Sequence, residues 1–215
     1  MPHRCMEGQK SMLNLGAVIL AAGMSRRMGQ PKLLLSLSGK PLFRYTVEKA
    51  IRAGLEPIVL ISGEHTSSFQ QSIHDLKNVE IYSNELYSQG MSTSLRMGIE
   101  VVSDRTQASM IFLADQPLVP DIVVKELLET YKRHRSEGVR IVRPQYKGID
   151  GHPIVFDAEL YPQFQHLQGD EGGRSIIKSH SKSLKTVHFE QSVWGFDIDT
   201  QEDLNQIYSM NPDLT

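Results

Sequence analysis

The sequence predicts an α/β fold with a mostly parallel central sheet and helices on both faces. Two observations carry that expectation. Short apolar runs of strand length recur between residues 15 and 114, too short for buried helices. Segments with apolar residues at i, i+3 and i+4 lie between them, the signature of helices with one buried face. Strand and helix alternating in this way make βαβ units, whose strands pair in parallel beneath helical layers.

Leu15 to Ala21 (LGAVILA) is a continuous apolar run followed closely by glycine and reads as a buried strand. Phe43, Thr46, Val47, Ala50 and Ile51 mark an amphipathic helix closed by Gly54. Pro57 to Ser62 and Val79 to Tyr82 read as the second and third strands, and Leu95, Ile99 and Val102 as a helix after Ser92. Met110 to Ala114 is a fourth strand ending at Asp115. Val123, Val124, Leu127, Leu128 and Tyr131 mark the next helix, with Asp121 near its N-terminus. Beyond residue 139 the pattern loosens. Val139 to Val142, Ile154 to Phe156 and Leu184 to Phe189 read as strands, and Ser175 to Ser179 as the start of a helix. Thr200 to Tyr208 is a final helix, with Thr200 as N-cap and Asp203 as its capping-box acid.

Composition narrows the function. A chain of 215 residues, 40% hydrophobic and 22% charged, buries a core without disulfides or structural metal. A net charge of −2 supplies no basic field for a polyanion, so nucleic acid is not an expected partner. The apolar run Ala17 to Ala22 is far too short to span a bilayer. Met1 to Asn14 is a polar stretch without the apolar region of a secretory signal and reads as a loose tail. Its Cys5 is the single cysteine, which rules out an internal disulfide and fits a reducing cytoplasm.

In such sheets, ligands bind beyond the carboxyl ends of the strands, so the loops there carry the chemistry. Ala21-Ala22-Gly23-Met24-Ser25-Arg26-Arg27-Met28-Gly29-Gln30-Pro31-Lys32 follows the first strand. Its small residues allow close backbone approach, and its N–H groups can cradle phosphate oxygens. Arg27 and Lys32 add positive charge where a triphosphate would lie. The segment is neither GxxxxGK[ST] nor GxGxxG, so a P-loop and a dinucleotide fingerprint are both absent. In Leu113-Ala114-Asp115-Gln116-Pro117, Asp115 faces the crevice as a candidate ligand for a hard cation such as Mg²⁺. A plain turn aspartate is the ordinary alternative. Asp197 and Asp199, two residues apart, face one side in extended backbone and would complete a metal site with Asp115, though Asp199 reads better as a helix cap. Asn84 and Ser92 are candidates for hydrogen bonds to a sugar or base, with capping the plain alternative for Ser92. Gly148 to Pro153, containing His152, and Gly169 to Arg174 read as loops, where Arg174 is either a plain surface arginine or a group for a phosphate. There is no HExxH and no GxSxG nucleophile elbow.

Taken in order, LAAGMSRRMGQPK, NELYSQGMSTSL, LADQP, GHP, GDEGGR and DIDTQEDL resemble the molybdenum-cofactor nucleotidyltransferases. Within that family they are most similar to the molybdenum cofactor cytidylyltransferases and a related accessory protein of purine catabolism. The resemblance spans residues 15 to 210. It implies a Rossmann-like nucleotidyltransferase fold, with residues 15–215 as a single domain. It also implies a reaction in which CTP and the terminal phosphate of the molybdenum cofactor combine, with Mg²⁺ present, and release pyrophosphate. Leu20, Ala21, Ala22 and Gly23 would then contact base and ribose, and Arg27 and Lys32 the triphosphate. Asp115 and Asp197 would hold Mg²⁺. Asn84 and Ser92 would lie on the nucleotide side, and Gln116, His152 and Arg174 on the acceptor side. The catalytic set is Lys32, Arg27 and Asp115. Where guanylyltransferase relatives carry LAGG, this chain has Leu20-Ala21-Ala22-Gly23, which favours cytosine. Gln201 stands where the family usually has proline. The implied partners are CTP, the molybdenum cofactor and a recipient molybdoenzyme such as a xanthine dehydrogenase, with no membrane. The rivals are a guanylyltransferase, a sugar-phosphate nucleotidyltransferase and a non-catalytic cofactor carrier.

Overall fold

The computed structural model describes residues 13–23 and 31–210; Arg27 and Cys5 lie outside them. In chain order the elements are β1 (Leu15–Ala21), the hairpin β2 (Ser36–Leu37) and β3 (Lys40–Pro41), α1 (Leu42–Arg52), β4 (Ile58–Ser62), α2 (Thr66–Ser72) and β5 (Val79–Ser83). There follow α3 (Met91–Val102), β6 (Ala108–Leu113), α4 (Asp121–His134), β7 (Ile141–Tyr146), β8 (Ile149–Asp150) and β9 (Ile154–Asp157). The last are α5 (Tyr161–Phe164), α6 (Arg174–Ser179), β10 (Leu184–Phe189) and α7 (Gln201–Met210).

The main sheet runs β10-β7-β9-β6-β1-β4-β5, with β8 paired to β7. β1 pairs in parallel with both β4 and β6, β4 with β5, and β10 with β7. Among the described strands of this sheet, β8 and β9 run against their neighbours. The sheet is therefore mostly parallel, as expected. β9 is the departure, inserted antiparallel between β6 and β7. β1 is buried along its whole length, so it reads as a continuous apolar run rather than an alternating one. Its side chains still alternate between the two faces. Ala17, Ile19 and Ala21 join one core with Phe43 and Val47 of α1 and Val123 and Leu127 of α4. Val18 and Leu20 join the other with Leu95 and Ile99 of α3, Phe164 of α5 and Ile176 of α6. Helices thus cover both faces.

A third, smaller core seats the C-terminal helix. Leu204 and Ile207 of α7, with Ile198 before it, pack on Leu37 and Leu42. The helix begins with the expected capping box. Thr200 Oγ1 accepts from the Asp203 N–H at 3.1 Å, and the Asp203 carboxylate accepts from the Thr200 N–H at 2.7 Å.

At the far end of the sheet, the fully buried Asp157 closes β9. It accepts from Tyr131 Oη at 2.7 Å and Arg135 Nε at 2.8 Å, and its second oxygen accepts from the Glu159 N–H. Burial opposes its charge, but these hydrogen bonds win and hold its pKa below the ordinary value. Its stabilisation is therefore present above about pH 4 and lost as pH falls through the acid range. Asp157→Ala strands the tyrosine hydroxyl and the guanidinium, and is expected to cost about 3 kcal/mol in urea unfolding at pH 7.

Candidate active site

β1 has parallel neighbours on both sides, β4 and β6, which sit later in the chain on opposite flanks. The chain order reverses there, and a crevice opens at the carboxyl ends of the strands. A cavity of about 1180 Å³ occupies this end. Its floor is apolar, from Leu20, Ile111, Leu113, Ile154 and Phe156, and its rim is charged, from Asp115, Arg143, Arg174, Asp197 and Asp199. Single small-molecule sites are roughly 300–1,000 Å³, so the cavity is large for one ligand.

Lys32 bridges two of the carboxylates that line the cavity. It opens a short turn after Pro31, where the neighbouring Leu33 is buried in the sheet core and anchors it. Its Nζ donates to Asp115 Oδ2 at 2.8 Å and to Asp199 Oδ1 at 2.7 Å. Burial works against the ammonium, but Asp115 and then Asp199 outweigh it, and its pKa lies above the ordinary value. Lys32 is therefore a permanent cation at neutral pH.

Asp115 follows the end of β6, as the sequence predicted. The 195–200 segment comes back to it through the backbone, with the Ile198 N–H donating to the Asp115 carbonyl at 3.1 Å. Ile198 is fully buried, and its flanking carboxylates, Asp197 and Asp199, line the cavity. Asp197 Oδ1 accepts from Gln116 Nε2 at 2.8 Å. The Asp197 side chain is exposed at the cavity, but neighbouring protein still removes part of its water. That desolvation, followed by the Asp115 carboxylate, pushes its pKa above the ordinary value.

One expectation is corrected here. Asp199 is not the helix cap; Thr200 and Asp203 do that work, and the Asp203 carboxylate also takes the Asp199 N–H at 2.9 Å. Its side chain is freed for Lys32. Sequence reading missed this because an aspartate before a helix looks like a cap, and a lysine 167 residues away sends no local signal.

The carboxylates of Asp115 and Asp197 fit a hard divalent cation. Both line the cavity, and after desolvation the Asp115 carboxylate is the next cause of the raised Asp197 pKa, a repulsion that a cation would relieve. Among the described residues, no group of three or more His, Cys, Asp or Glu side chains is arranged to hold a metal by itself. An ion bound here would take its other ligands from water or phosphate oxygens, the habit of Mg²⁺ rather than of a structural zinc.

Of the remaining candidates, Leu20, Gln116, His152 and Arg174 all line the cavity. Ala21, Ala22 and Gly23 leave the end of β1, from buried Ala21 to exposed Gly23. Burial lowers the His152 pKa to about 4, with Asp115 raising and Arg174 lowering it in turn. At neutral pH it is an uncharged hydrogen-bonding group, and Arg174 is the cation beside it. Arg143 and Asp150, paired at 2.7 Å, also line the cavity. A lone strand arginine gave no sequence signal for that place.

Asn84 and Ser92 are not among the residues that line the cavity. Both are buried and work for the scaffold. Asn84 Nδ2 donates to Thr93 Oγ1 at 2.8 Å and Ser94 Oγ at 2.9 Å, and its Oδ1 accepts from the Leu86 N–H. Ser92 lies inside α3, which starts at Met91 after Gly90, so it is not the N-cap either. Its Oγ donates to the Gln168 carbonyl at 3.0 Å.

That contact is part of a strap. The Met91 N–H donates to Asp170 Oδ1 at 2.9 Å, and the Ser92 N–H to the Gly169 carbonyl at 3.0 Å, docking the 168–174 loop on the start of α3. Gly90 has φ +113°, and a Cβ there would meet the Gly169 carbonyl at 2.4 Å. Only glycine fits both demands. Gly90→Ala is expected to displace the loop bearing Arg174, raising the acceptor KM about tenfold while changing the nucleotide KM less. Steady-state kinetics with each substrate varied in turn checks this.

Comparison with known proteins places this geometry. The model of the MobA-like NTP transferase domain matches residues 17–184. Nicotine blue oxidoreductase of Paenarthrobacter nicotinovorans is 27% identical over 202 residues, covering 88% of this chain and 94% of that protein. Purine catabolism protein PucB of Bacillus subtilis (strain 168) is 28% identical, with 88% and 94% covered. Molybdenum cofactor cytidylyltransferase of Escherichia coli (strain K12) is 26% identical, with 89% and 94% covered. Among solved structures, Rv0371c from Mycobacterium tuberculosis H37Rv superposes with a TM-score of 0.80 at 24% identity, covering 92% of this chain and 98% of that one. Its manganese complex gives a TM-score of 0.76 at 22% identity, with 91% and 98% covered. A nucleotidyl transfer enzyme from Methanothermobacter gives 0.76 at 19% identity, with 94% and 99% covered.

Proposed function

The chain belongs to the MobA-like NTP transferase family, and from that premise we propose that it transfers CMP from CTP to the terminal phosphate of the molybdenum cofactor, releasing pyrophosphate. The observation that carries this reading is the trio Asp115, Asp197 and Asp199 lining a cavity of about 1180 Å³, with Lys32 bound to Asp115 and Asp199. The Ala22 methyl at the end of β1 and the likeness to the Escherichia coli cytidylyltransferase support cytosine.

In this scheme an acceptor phosphate oxygen attacks the α-phosphorus of CTP in line. The new P–O bond forms as the bond to the β-phosphate's bridging oxygen breaks, and that oxygen leaves with pyrophosphate. No side chain becomes covalently attached, so the protein's part is alignment and charge stabilisation. Lys32 neutralises charge on the triphosphate, a role that the family resemblance extends to Arg27. Asp115 and Asp197 would hold Mg²⁺, which when bound supplies charge neutralisation at the phosphate oxygens. Gln116 fixes Asp197. Arg174 receives an anionic group of the acceptor, and neutral His152 hydrogen-bonds beside it. That a structural relative was crystallised with manganese makes a divalent ion the natural choice of cofactor.

The test is incubation of purified protein with Mg²⁺, molybdenum cofactor and either CTP or GTP, reading pyrophosphate and pterin dinucleotide together. Turnover with CTP and little with GTP is expected. Turnover with GTP alone would overturn the base assignment. None with either would point to a sugar phosphate acceptor or to a carrier of the cofactor.

A further inference from the structure

Lys49 lies on the buried face of α1, only 3% exposed, and the scheme above gives it no role. Burying an ammonium is unfavourable. Burial lowers its pKa to about 7, partly offset by Asp121 and reinforced by Arg52. Asp121 is not its ion-pair partner, because Arg52 holds that carboxylate through Nε at 2.6 Å and a second nitrogen at 2.9 Å. Lys125, Glu129 and Lys132 of α4 line the small cavity of about 340 Å³ beside it, with Arg52 and Asp121. The hydrogen bond Lys49 makes among the described residues runs the other way, towards the active site. Its Nζ donates to the Pro117 carbonyl at 3.4 Å. Pro117 ends the turn that starts from β6 with Asp115 and Gln116, the two residues that face Lys32 and Asp197.

A methionine would fill the same space without the desolvation cost. A buried polar group that lowers stability, placed directly beneath a loop that carries chemistry, is the pattern of a residue kept for function. We propose that Lys49 is a positioning residue for the Asp115–Pro117 turn. By holding the Pro117 carbonyl it fixes the direction in which Asp115 faces the nucleotide phosphates and their cation. The inference rests on Asp115 acting in nucleotidyl transfer, as proposed above.

The sign of the linked stability follows from the lowered pKa. The unfolded chain binds this proton up to about pH 10.4, whereas the folded chain gives it up near 7. The penalty is full below pH 7 and fades as pH rises towards 10. Lys49→Met, which keeps the length and removes the donor, should therefore melt higher than wild type at pH 6, with a smaller gain at pH 9. The same variant should lose about tenfold in kcat and need several-fold more Mg²⁺ or Mn²⁺ for half-maximal rate, with the nucleotide KM changed less than about twofold. Lys49→Arg, whose guanidinium can use the adjoining cavity, should recover part of the kcat. A purely structural lysine would lower the melting temperature when replaced, and that result overturns the proposal. So does a higher melting temperature with kcat and metal dependence unchanged. Asp115→Ala runs in parallel. If it keeps turnover, the reading beneath the proposal fails and the proposal falls with it. If it loses turnover while Lys49→Met does not, only the positioning role fails.

Discussion

Asp115→Ala is expected to leave the fold intact and to lower turnover at least about a hundredfold, roughly 2.7 kcal/mol of transition-state stabilisation. The fold should survive because the backbone contact of residue 115 remains, its carbonyl accepting from the Ile198 N–H. Lys32 also keeps Asp199 at 2.7 Å when the Asp115 carboxylate is removed. What is lost is a carboxylate aimed into the cavity beside Asp197, one of two that fit a divalent cation. Thermal melting and steady-state kinetics on one preparation separate the two effects. Near-normal turnover would sink the metal assignment, whereas a large drop in melting temperature would show a structural residue.

Lys32→Met is expected to lower kcat/KM for the nucleotide about a hundredfold, the size seen when one preorganised donor is taken from a developing negative charge. It should also cost stability, because Asp115 and Asp199 are left facing one another without the ammonium they share. Asp199 is 41% exposed at its side chain, so solvent screens part of that loss and about 1 kcal/mol is expected. The raised pKa of Lys32 sets the pH window. Its contribution is fully present below about pH 10 and fades only as pH rises through the folded-state value. The stability difference between wild type and Lys32→Met should accordingly be constant across neutral pH. Unchanged nucleotide kinetics would remove Lys32 from the site.

The legible parts of this protein were those whose signals are local. β1, β4 and β6 announce themselves because strands buried on both faces must be apolar throughout. The capping box of α7 could be read because Thr200 and Asp203 satisfy one another three residues apart. The hairpin of β2 and β3 was missed. Its strands have two residues each, and its turn sets both Ser38 and Gly39 at positive φ, where Asn-Gly would have been the stronger signal. β9 reads as a strand, but nothing in four residues says that it will enter the sheet antiparallel.

The site divides the same way. Asp115, singled out by its strand-end position, lines the cavity, as do Leu20 and Gln116 from the family motifs and Asp197 and Asp199 from their two-residue spacing. The roles of Asp199, Asn84 and Ser92 depend on partners chosen by the fold. Asp199 faces a lysine from the first loop, and Ser92 a carbonyl 76 residues away. Asn84 is consumed by two hydroxyls on the first turn of α3. Lys49 was hidden because a lysine on an otherwise apolar helix face looks like the edge of its solvated side until its burial is seen.

The central claim is that this cavity moves a nucleoside monophosphate between phosphates, and label transfer tests it most directly. Wild type and Asp115→Ala would be incubated with molybdenum cofactor, a divalent cation and CTP labelled at the α-phosphorus. The account predicts that wild type moves the label into a pterin dinucleotide, with one pyrophosphate released for each label moved, and that the variant does so at least about a hundredfold more slowly. A folded wild-type protein that moves no label from CTP or GTP to the cofactor, or an Asp115→Ala variant as fast as wild type, would contradict it.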